Sequence, residues 1–348
     1  MKIAAITDLH FAIKRHPELY HKYYSRFYDN IFFPYLRKHN IKDIICLGDV
    51  FDNRKSIDYN SLAWAKDNFF GLCDKNKINL KIITGNHDIH FKNTNKINSP
   101  NLLLREYPQI QVYEEICDVI YDDLKVTLCP WINPENQEDT LAHINETNSH
   151  VLFGHLEING FESHHGHYYS GGLSQDTFSK FKKVFSGHFH SKSTQKNITY
   201  LGNPYHLYWG DYGEERGFHI FDTKTFSLDF IKNPYTLFHK INYEDSLDIE
   251  NIDYSKFEDC FIKVYVNSKY DDIKFSQFIE KINDSKITDL KIEEMETYEK
   301  ENEIEDIFEK GDDTKSLIDY YISCIDYPEQ ESLNNIVTNL YIKSLEVV

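Results

Sequence analysis

Five short polar motifs, each placed directly after an apolar run, constrain the fold of this chain more than any other feature. Apolar runs of this length, rich in β-branched residues, are typical of buried strands. Because the carboxyl ends of strands meet at one edge of an open α/β sheet, we expect the motif side chains to converge there. The motifs are Asp8-Leu9-His10, Gly48-Asp49-Val50-Phe51-Asp52, Gly85-Asn86-His87-Asp88, Gly154-His155 and Gly187-His188-Phe189-His190.

The first 240 residues alternate short strands with helices, which is typical of a layered α/β domain. Strands are predicted over residues 3–7, 43–47, 80–84, 111–113, 125–128, 150–153, 184–186, 198–201, 218–221 and 226–231. Helices are predicted over residues 19–39, with a disturbance at Pro34, and over residues 59–76 and 102–107. The later strands come without helices between them, so we expect a second, antiparallel sheet. Together these patterns predict a four-layer α/β/β/α sandwich.

The motifs supply carboxylates, one amide oxygen and several imidazoles to a single place. This mixture suits divalent manganese, iron or zinc without thiolate ligands. Taken singly, each motif is also consistent with an ordinary surface turn, and only the full set in this order favours a metal centre. The six cysteines are scattered without a CxxC pair, which predicts buried thiols in a reducing cytoplasm.

The order DLH, GDVFD, GNHD, GH, GHFH resembles the calcineurin-like metallophosphoesterase superfamily. Within it, the chain resembles the nuclease subunits of the SbcCD type and their counterparts in tailed bacteriophages, the recombination endonuclease subunits. Residues 51–55, 184–190 and 200–205 carry this narrower resemblance. The resemblance extends over nearly the whole chain, although the C-terminal part matches by arrangement more than by motif.

The resemblance implies two divalent metal ions, with Mn²⁺ as the expected metal. The first ion is implied to bind Asp8, His10, Asp49 and His190. The second is implied to bind Asp49, Asn86, His155 and His188. Asp49 would then bridge the two ions, which suits a pair about 3.5–4 Å apart that shares one carboxylate.

Three further motif residues are not implied to bind metal. His87 is implied to be catalytic, by stabilising the transition state and helping to protonate the leaving 3′ oxygen. Asp88 is expected either to orient a ligand histidine or to form a simple Asx turn. Asp52 stands where archaeal and eukaryotic relatives commonly carry histidine, so no catalytic role is assigned to it, and it could instead hold the loop of residues 48–55 in shape.

The formal net charge of −18 argues at first against a nucleic-acid ligand. However, the charge is +6 over residues 1–100, −7 over residues 101–240 and −17 over residues 241–348. The part of the chain that carries the first motifs is therefore basic, and DNA is not excluded. Arg54 and Lys55 are the candidates for holding the DNA backbone, and solvated loop charges are the alternative for each.

The chain is predicted to contain four segments. Residues 1–240 are the metallophosphoesterase nuclease domain, residues 241–292 a small α+β capping domain and residues 293–314 an acidic linker. Residues 315–348 are predicted to form a helical hairpin whose apolar stripes dock on a partner, and packing on the chain's own nuclease domain is the alternative.

The resemblance implies as partners DNA, an SMC-like coiled-coil ATPase of the SbcC type, and a second copy of this chain. No membrane partner is expected, and the bacterial cytoplasm, including that of a phage-infected cell, is the expected location.

The leading functional hypothesis is a two-metal-dependent DNA exo/endonuclease in DNA end processing, recombination and repair. A stand-alone phosphomonoesterase or small-molecule phosphodiesterase on the same centre is the first alternative. A catalytically dead scaffold is the second, and it predicts at least one missing ligand, whereas the implied ligand set is complete.

Overall fold

The computed structural model describes residues 1–13, 16–164 and 167–294, together with Ile322, Leu333, Ile336, Val337 and Leu340. Apart from residues 293 and 294, the predicted linker 293–314 lies outside the described residues. The predicted hairpin 315–348 lies outside them too, except for those five residues. The chain forms two compact units, one with Met1–His206 and Gly213–Leu237 and the other with Leu207–Tyr212 and the described residues from Phe238 on.

Seventeen strands are present in the described part of the chain. They are β1 (Lys2–Ile6), β2 (Asp43–Cys46), β3 (Asn79–Ile83), β4 (Ile110–Tyr113), β5 (Cys117–Tyr121), β6 (Leu124–Cys129), β7 (Val151–His155), β8 (Glu162–His164), β9 (His167–Tyr168), β10 (Lys183–Gly187), β11 (Ser193–Gln195), β12 (Ile198–Tyr200), β13 (Gly217–Asp222), β14 (Leu228–Lys232), β15 (Phe238–Tyr243), β16 (Phe261–Val266) and β17 (Asp289–Glu294). The α-helices in the same part are α1 (Pro17–Phe27), α2 (Phe33–Lys38), α3 (Tyr59–Ala65), α4 (Gly71–Lys75), α5 (Ser99–Leu103), α6 (Gln137–Glu146) and α7 (Asp272–Asp284). Every strand predicted from the sequence is present within two residues of its expected limits.

The first sheet has the strand order β14-β13-β1-β2-β3-β4. Strands β1 to β4 are parallel, whereas β13 pairs antiparallel with β1 and β14 pairs antiparallel with β13. The last two strands were expected in the second sheet, and that expectation is wrong. The chain returns to the edge of the first sheet because β13 pairs its Phe221 with Ile3 and its Ile220 with Ala4, all of which are buried.

The second sheet has the order β11-β12-β10-β7-β6-β5. Its four central strands β6, β7, β10 and β12 are parallel, and only β5 and β11 are antiparallel to their neighbours. The antiparallel sheet predicted from the sequence is therefore wrong in orientation. Parallel neighbours need a long crossover, and α6 provides one between β6 and β7, where no helix was expected.

The two sheets pack face to face and helices cover both outer faces. The core between the sheets consists mainly of Ile3, Ala5, Ile45, Leu47, Ile83, Val126, Leu128, Val151, Phe153, Phe185 and Phe221. Ile144 of α6 packs with Leu152 and Val184 on the outer face of the second sheet. On the helical side of the first sheet, Phe27 and Phe32 contact Phe218 of β13. The predicted four-layer α/β/β/α sandwich is confirmed.

The long helical segments are interrupted by π-helical turns. One turn, Tyr28–Phe32, joins α1 to α2 directly before Pro34, and another, Lys66–Phe70, joins α3 to α4. Proline lacks the N–H that would continue the α-helical hydrogen bonding, so a local change of helix geometry is expected near it. The disturbance predicted at Pro34 thus lies in the turn that precedes this residue.

The second unit contains a small three-stranded sheet in the order β15-β16-β17. All of its strands are parallel, and α7 connects β16 to β17. Phe278 and Ile282 of α7 are buried against Ile262 and Val264 of β16. Residues 241–292, which were expected to form a small α+β unit, contain β16, α7 and most of β17, together with the end of β15. Within the described residues, no helix combines the length and apolar character that a membrane span requires.

One half-buried carboxylate in the first unit, that of Asp118, makes the stability of the fold depend on pH. Asp118 of β5 accepts hydrogen bonds from Thr127, His143 and Thr147, and its Oδ2 lies 2.9 Å from the Lys125 ammonium. Burial would raise the pKa of Asp118, but the hydrogen bonds from Lys125, Thr127, His143 and Thr147 lower it to about 2. This ionised group stabilises the fold above its unfolded pKa of about 3.9, and the contribution is lost as the pH falls through the folded pKa.

We expect Asp118→Asn to lower the free energy of unfolding at pH 7 by about 1–3 kcal/mol, because charged hydrogen bonds are lost. The difference in the free energy of unfolding between Asp118→Asn and the wild type should become smaller as the pH falls from about 4 toward 2, where the wild-type carboxylate becomes protonated. Urea unfolding at a series of pH values measures both effects. Asp176→Asn, at a side chain that is 85% exposed, is the matched control and should change little. If the free energy of unfolding of Asp118→Asn stayed below that of the wild type by the same amount at every pH, the stabilising role of the Asp118 charge would be contradicted.

Candidate metal centre

The five motifs lie at the carboxyl ends of parallel strands in both sheets. Asp8 follows β1, Asp49 follows β2, Asn86 follows β3, and His155 ends β7. His188 follows β10. The convergence expected from the sequence is therefore present, and it draws on both sheets, because each contributes parallel strands that end on the same side.

The backbone is strained where the chain leaves these strands. Asp8, His10, Asp49 and His188 have φ values of 52°, 44°, 52° and 89°, in the left-handed region that residues with a Cβ rarely adopt. Aspartate and histidine tolerate this region better than β-branched residues do, but it still costs energy. Four such residues in one site indicate that the surrounding fold holds the side chains in a fixed arrangement.

Two motif glycines leave room for the carboxylates. A Cβ placed on Gly85 would lie 2.2 Å from Asp49 Oδ1, and a Cβ on Gly187 would lie 2.0 Å from Thr7 Oγ1 and 3.0 Å from Asp8 Oδ2. No side chain fits at either position without moving these atoms. The glycines are thus required by the close approach of the backbone to the acidic groups.

The first group of candidate ligands consists of Asp8, His10 and His190. One potential ligand atom from each lies within 4.8 Å of the others. The Nε2 atoms of His10 and His190 are 3.1 Å apart, so both rings direct a nitrogen toward the same point. Asp8 and His10 are buried, and His190 is half-buried. Two nitrogens and a carboxylate that converge in this way can hold a divalent ion.

The second group consists of Asp49, His155 and His188, whose ligand atoms also lie within 4.8 Å of one another. Asn86 belongs with them, because its Oδ1 lies 2.9 Å from His155 Nε2 and 3.0 Å from His188 Nδ1. Asp49 Oδ2 is 3.3 Å from His155 Nε2 and 3.9 Å from His10 Nε2. Its carboxylate therefore lies between the two groups, where a bridging ligand would be.

The nitrogens that face away from the clusters have acceptors of their own. His155 Nδ1 donates to the Leu47 carbonyl at 2.6 Å, and His10 Nδ1 lies 3.3 Å from Asp52 Oδ1. An outer acceptor fixes the orientation of a ligand histidine and keeps its inner nitrogen unprotonated for the metal. Asp52 thus contacts a candidate ligand, in addition to any effect that it has on its own loop.

The charges of the site favour a cation. Burial would raise the pKa of Asp49, but His155, His87 and His10 lower it well below its usual value. Burial would lower the pKa of His10, yet the carboxylates of Asp52, Asp49 and Asp8 raise it to about 9. Burial likewise opposes the charged form of His155, and Asp49 raises its pKa to about 9. The buried carboxylates thus attract positive charge, which metal ions can supply in place of protons.

His87 lies beside the first group without belonging to it. Its backbone N–H donates to Asp49 Oδ1 at 2.8 Å, and its Nδ1 lies 2.7 Å from the Asp52 carbonyl. Its ring contacts the ring of His10 edge to face, with centroids 4.8 Å apart. With Nδ1–H directed at a carbonyl oxygen, Nε2 is the ring nitrogen available for exchange of a proton with a substrate.

Asp88 holds two of the motif loops together. Its carboxylate accepts backbone N–H groups from Gly85, Asp49 and Val50, each at 2.9 Å. Burial, with the charge of Asp49, raises the pKa of Asp88 to about 7, and the backbone donors oppose that shift. The expectation that Asp88 orients a ligand histidine is wrong, because its oxygens are directed at backbone amides of the loop that carries Asp49.

The predicted DNA-binding residues lie directly after Asp52. Asn53 Oδ1 accepts the backbone N–H groups of Lys55 and Ser56 at 3.0 and 3.2 Å, which fixes the turn. Lys55 is exposed, and Arg54 is half-buried. Nη1 of Arg54 is buried without a hydrogen-bond partner among the described residues. This nitrogen is inaccessible to solvent, so only the exposed part of the Arg54 guanidinium could meet a phosphate oxygen.

Two residues of the site were not predicted from the sequence. Trp131 packs against His188 and His155, with ring centroids 5.2 and 5.9 Å apart, and Glu157 contacts His188. Both follow parallel strands, β6 and β7, at the same edge of the second sheet. That position was a usable signal for Trp131, but the expected antiparallel sheet concealed it.

The donor set fits divalent ions. It consists of carboxylate and amide oxygens and imidazole nitrogens, without thiolates, and it forms two groups that share Asp49. Manganese, iron and zinc all accept such ligands. All seven candidate metal ligands predicted from the sequence lie in this site, and their binding of metal stays a prediction.

Comparison with known proteins agrees with this geometry. Residues 1–192 match the family model of the calcineurin-like phosphoesterases. The chain is 33% identical over 316 residues to exonuclease subunit 1 of Enterobacteria phage T4, which covers 90% of each chain. A solved structure described as a novel archaeal phosphodiesterase is 14% identical, with a TM-score of 0.35, and covers 67% of this chain and 100% of that chain. The family match spans more than half of the chain and includes all the motifs, so the chain belongs to the calcineurin-like phosphoesterase family and is a metal-dependent phosphodiesterase.

Proposed function

We propose that the protein is a two-metal-dependent DNA exo/endonuclease that hydrolyses phosphodiester bonds in DNA end processing, recombination and repair. The observation that carries this proposal is the position of the Asp49 carboxylate between two groups of candidate ligands. Similarity to a phage exonuclease subunit supports DNA as the substrate.

The proposed ligands divide between two divalent ions, with Mn²⁺ as the expected metal. Asp8, His10, Asp49 and His190 hold one ion, and Asp49, Asn86, His155 and His188 hold the other. When bound, such ions activate a water molecule and stabilise negative charge on the phosphate oxygens. The hydrogen bond from the Asp49 N–H to Asp88 and the close approach of Gly85 hold Asp49 between the two groups of proposed ligands.

His87 is the proposed catalytic residue. Its ring is fixed by the Asp52 carbonyl and lies beside His10, at the edge of the ligand groups. From this place its Nε2 can stabilise charge on the phosphate and pass a proton to the leaving 3′ oxygen.

Arg54 and Lys55 are proposed to contact the DNA backbone. The half-buried guanidinium of Arg54 and the exposed ammonium of Lys55 carry positive charge in the loop that follows Asp49 and Asp52, which suits phosphate oxygens. Both residues lie in the basic first 100 residues, which lowers the repulsion that the net charge of −18 would otherwise cause.

The proposed partners are a second copy of this chain and an SMC-like coiled-coil ATPase of the SbcC type. The T4 relative is named a subunit, which supports assembly with other chains. We propose that residues 1–240 form the nuclease domain and residues 241–292 the capping domain. Residues 293–314 would act as a linker to residues 315–348, which would dock on the ATPase.

A chain that ends at residue 309 tests this arrangement. We expect it to fold, bind Mn²⁺ and cleave single-stranded DNA, because the candidate metal centre lies within residues 1–192. Its association with the ATPase subunit should be lost, which size-exclusion chromatography of the mixed proteins measures. Insolubility or loss of nuclease activity in the shortened chain alone would place residues 310–348 in the core of the nuclease and contradict the docking role.

The substrate is tested by direct comparison of two classes of phosphoester. Labelled single- and double-stranded DNA with Mn²⁺ should be degraded in a gel assay, and EDTA should stop the reaction. Turnover of p-nitrophenyl phosphate should be slower by at least about 10²-fold in kcat/KM, since it lacks the extended backbone that Arg54 and Lys55 would contact. Hydrolysis of this monoester without cleavage of DNA would overturn the nuclease proposal.

A further inference from the structure

Glu157 contacts His188 on the side of the imidazole that faces away from the second ligand group. His188 Nδ1 lies 3.0 Å from Asn86 Oδ1, within that group, and His188 Nε2 lies 3.3 Å from Glu157 Oε1. The ring therefore has one nitrogen available for a metal ion and the other directed at a carboxylate. This division is the arrangement that metal-binding histidines use when a second residue orients them.

The backbone on both sides of Glu157 is fixed by buried anchors. Leu156 N–H donates to Ser186 Oγ at 3.0 Å, and Ile158 N–H donates to the Tyr200 hydroxyl oxygen at 3.1 Å. The carbonyl of Glu157 accepts the Leu173 N–H at 2.9 Å. These bonds leave little freedom for the chain at residue 157, so the direction of its side chain toward His188 is set by the fold.

A close approach at Gly172 fixes the same segment from the opposite side. Gly172 has a φ of 72°, and a Cβ there would lie 2.4 Å from the Glu157 carbonyl oxygen and 3.0 Å from the Glu157 Cβ. Only glycine meets both conditions, the left-handed backbone and the missing space. The turn at residue 172 thus packs directly on the backbone of Glu157.

The alternative for this contact is an incidental ion pair at the protein surface. Such pairs contribute little, because both side chains remain mobile and solvated. Here, however, the His188 side chain is 17% exposed and the Glu157 side chain 34%. The outer nitrogen of His155 donates a hydrogen bond to a carbonyl oxygen, and that of His10 lies 3.3 Å from the Asp52 carboxylate. Each of these three candidate ligand histidines therefore has an oxygen beside its outer nitrogen, which is not expected of an incidental surface contact.

We propose that Glu157 is a positioning residue for the second metal ion, acting through His188. The inference rests on the proposed two-metal centre. The carboxylate keeps the proton of His188 on Nε2, so that Nδ1 is directed into the site as a ligand, and it increases the basicity of that nitrogen. Because Glu157 contacts His188, which belongs to the second ligand group alone, we expect its effect at one of the two ions.

The test is a calorimetric titration of the metal-free full-length protein with Mn²⁺. Glu157→Ala should weaken the second Mn²⁺ by about 10–100-fold and leave the first unchanged, the usual size of such an outer-shell effect. Glu157→Gln keeps an acceptor oxygen without the charge and should fall between wild type and Glu157→Ala. His188→Ala and His10→Ala identify which binding step belongs to which ligand group.

Two controls separate positioning from a general effect on the fold. Glu138→Gln changes an exposed glutamate on α6 and should bind both ions as wild type does. The melting temperature of metal-free Glu157→Gln should match that of the metal-free wild type, since a positioning role concerns the ion rather than the fold.

The outcomes distinguish this inference from the proposed function. Wild-type affinity for both ions in Glu157→Ala and Glu157→Gln overturns the role of Glu157 and leaves the two-metal nuclease intact. Equal weakening of both ions together with a lower melting temperature also overturns it, because Glu157 is then structural. A wild-type protein that binds a single Mn²⁺ contradicts the two-metal centre and, with it, the role of Glu157.

Discussion

Replacing Asp49 with alanine is expected to remove both metal ions and to reduce DNA hydrolysis by more than about 10³-fold, beyond the effect of a single electrostatic contact. The carboxylate lies 3.3 Å from the ligand nitrogen of His155 and 3.9 Å from that of His10. Without it, each group of candidate ligands loses one member, and two cations held there would lose the anion that they share. Metal analysis after dialysis in Mn²⁺ measures the first effect.

The Asp49 prediction needs a control for folding. Asp49 Oδ1 also accepts the His87 N–H at 2.8 Å, so its loss affects the loop as well as the ions. Asp49→Asn can retain that hydrogen bond through its amide oxygen and should still lose most of the bound Mn²⁺, because the bridging charge is gone. Asp176→Ala, at an exposed carboxylate, should bind as wild type does. Two ions still bound per chain in Asp49→Ala would contradict the ligand assignment.

Replacing His87 with alanine is expected to give the opposite combination, with both ions retained and the rate reduced by about 10²–10⁴-fold. The ring lies beside His10, and its Nδ1 is directed at the Asp52 carbonyl and not at a ligand group. The loss should appear mainly in kcat, because the residue acts on charge that develops in the transition state. Single-turnover cleavage of labelled DNA measures the loss of rate, and the metal content of the same sample shows whether both ions are retained.

The matched control for His87 is a histidine in the same loop. His90 is half-buried like His87, and its ring packs against Phe91 rather than against His10. His90→Ala should therefore cleave DNA at nearly the wild-type rate. Cleavage at the wild-type rate by His87→Ala with both ions bound would show that His87 is only a turn residue.

The residues of the candidate site could be predicted because each follows a strand that the sequence makes visible. Asp8, Asp49 and Asn86 stand directly after apolar runs, and the carboxyl ends of parallel strands such as β1, β2 and β3 meet at one edge of the sheet. His155 and His188 were predicted from their Gly-His and Gly-His-Phe-His motifs, and they reach the same edge because β7 and β10 are parallel rather than antiparallel as expected. The local sequence pattern was therefore sufficient to predict the candidate metal ligands.

Contacts between distant segments could not be predicted in this way. The pairing of β13 with β1 depends on which edge of a sheet is open, and strand sequences alone do not encode that choice. The contact of Glu157 with His188 depends on the parallel pairing of β7 with β10, which brings residues 155 and 187 side by side. The role of Asp88 stayed open between two alternatives for a similar reason, because backbone amides compete with histidines for its oxygens, and backbone position is not visible in a motif.

Anomalous diffraction at the manganese edge from crystals soaked in Mn²⁺ tests the central claim most directly. The account predicts two peaks per chain on opposite sides of the Asp49 carboxylate. One should be bound by Asp8, His10 and His190, and the other by Asn86, His155 and His188. A single peak, or two peaks of which only one contacts Asp49, would contradict the shared two-metal centre.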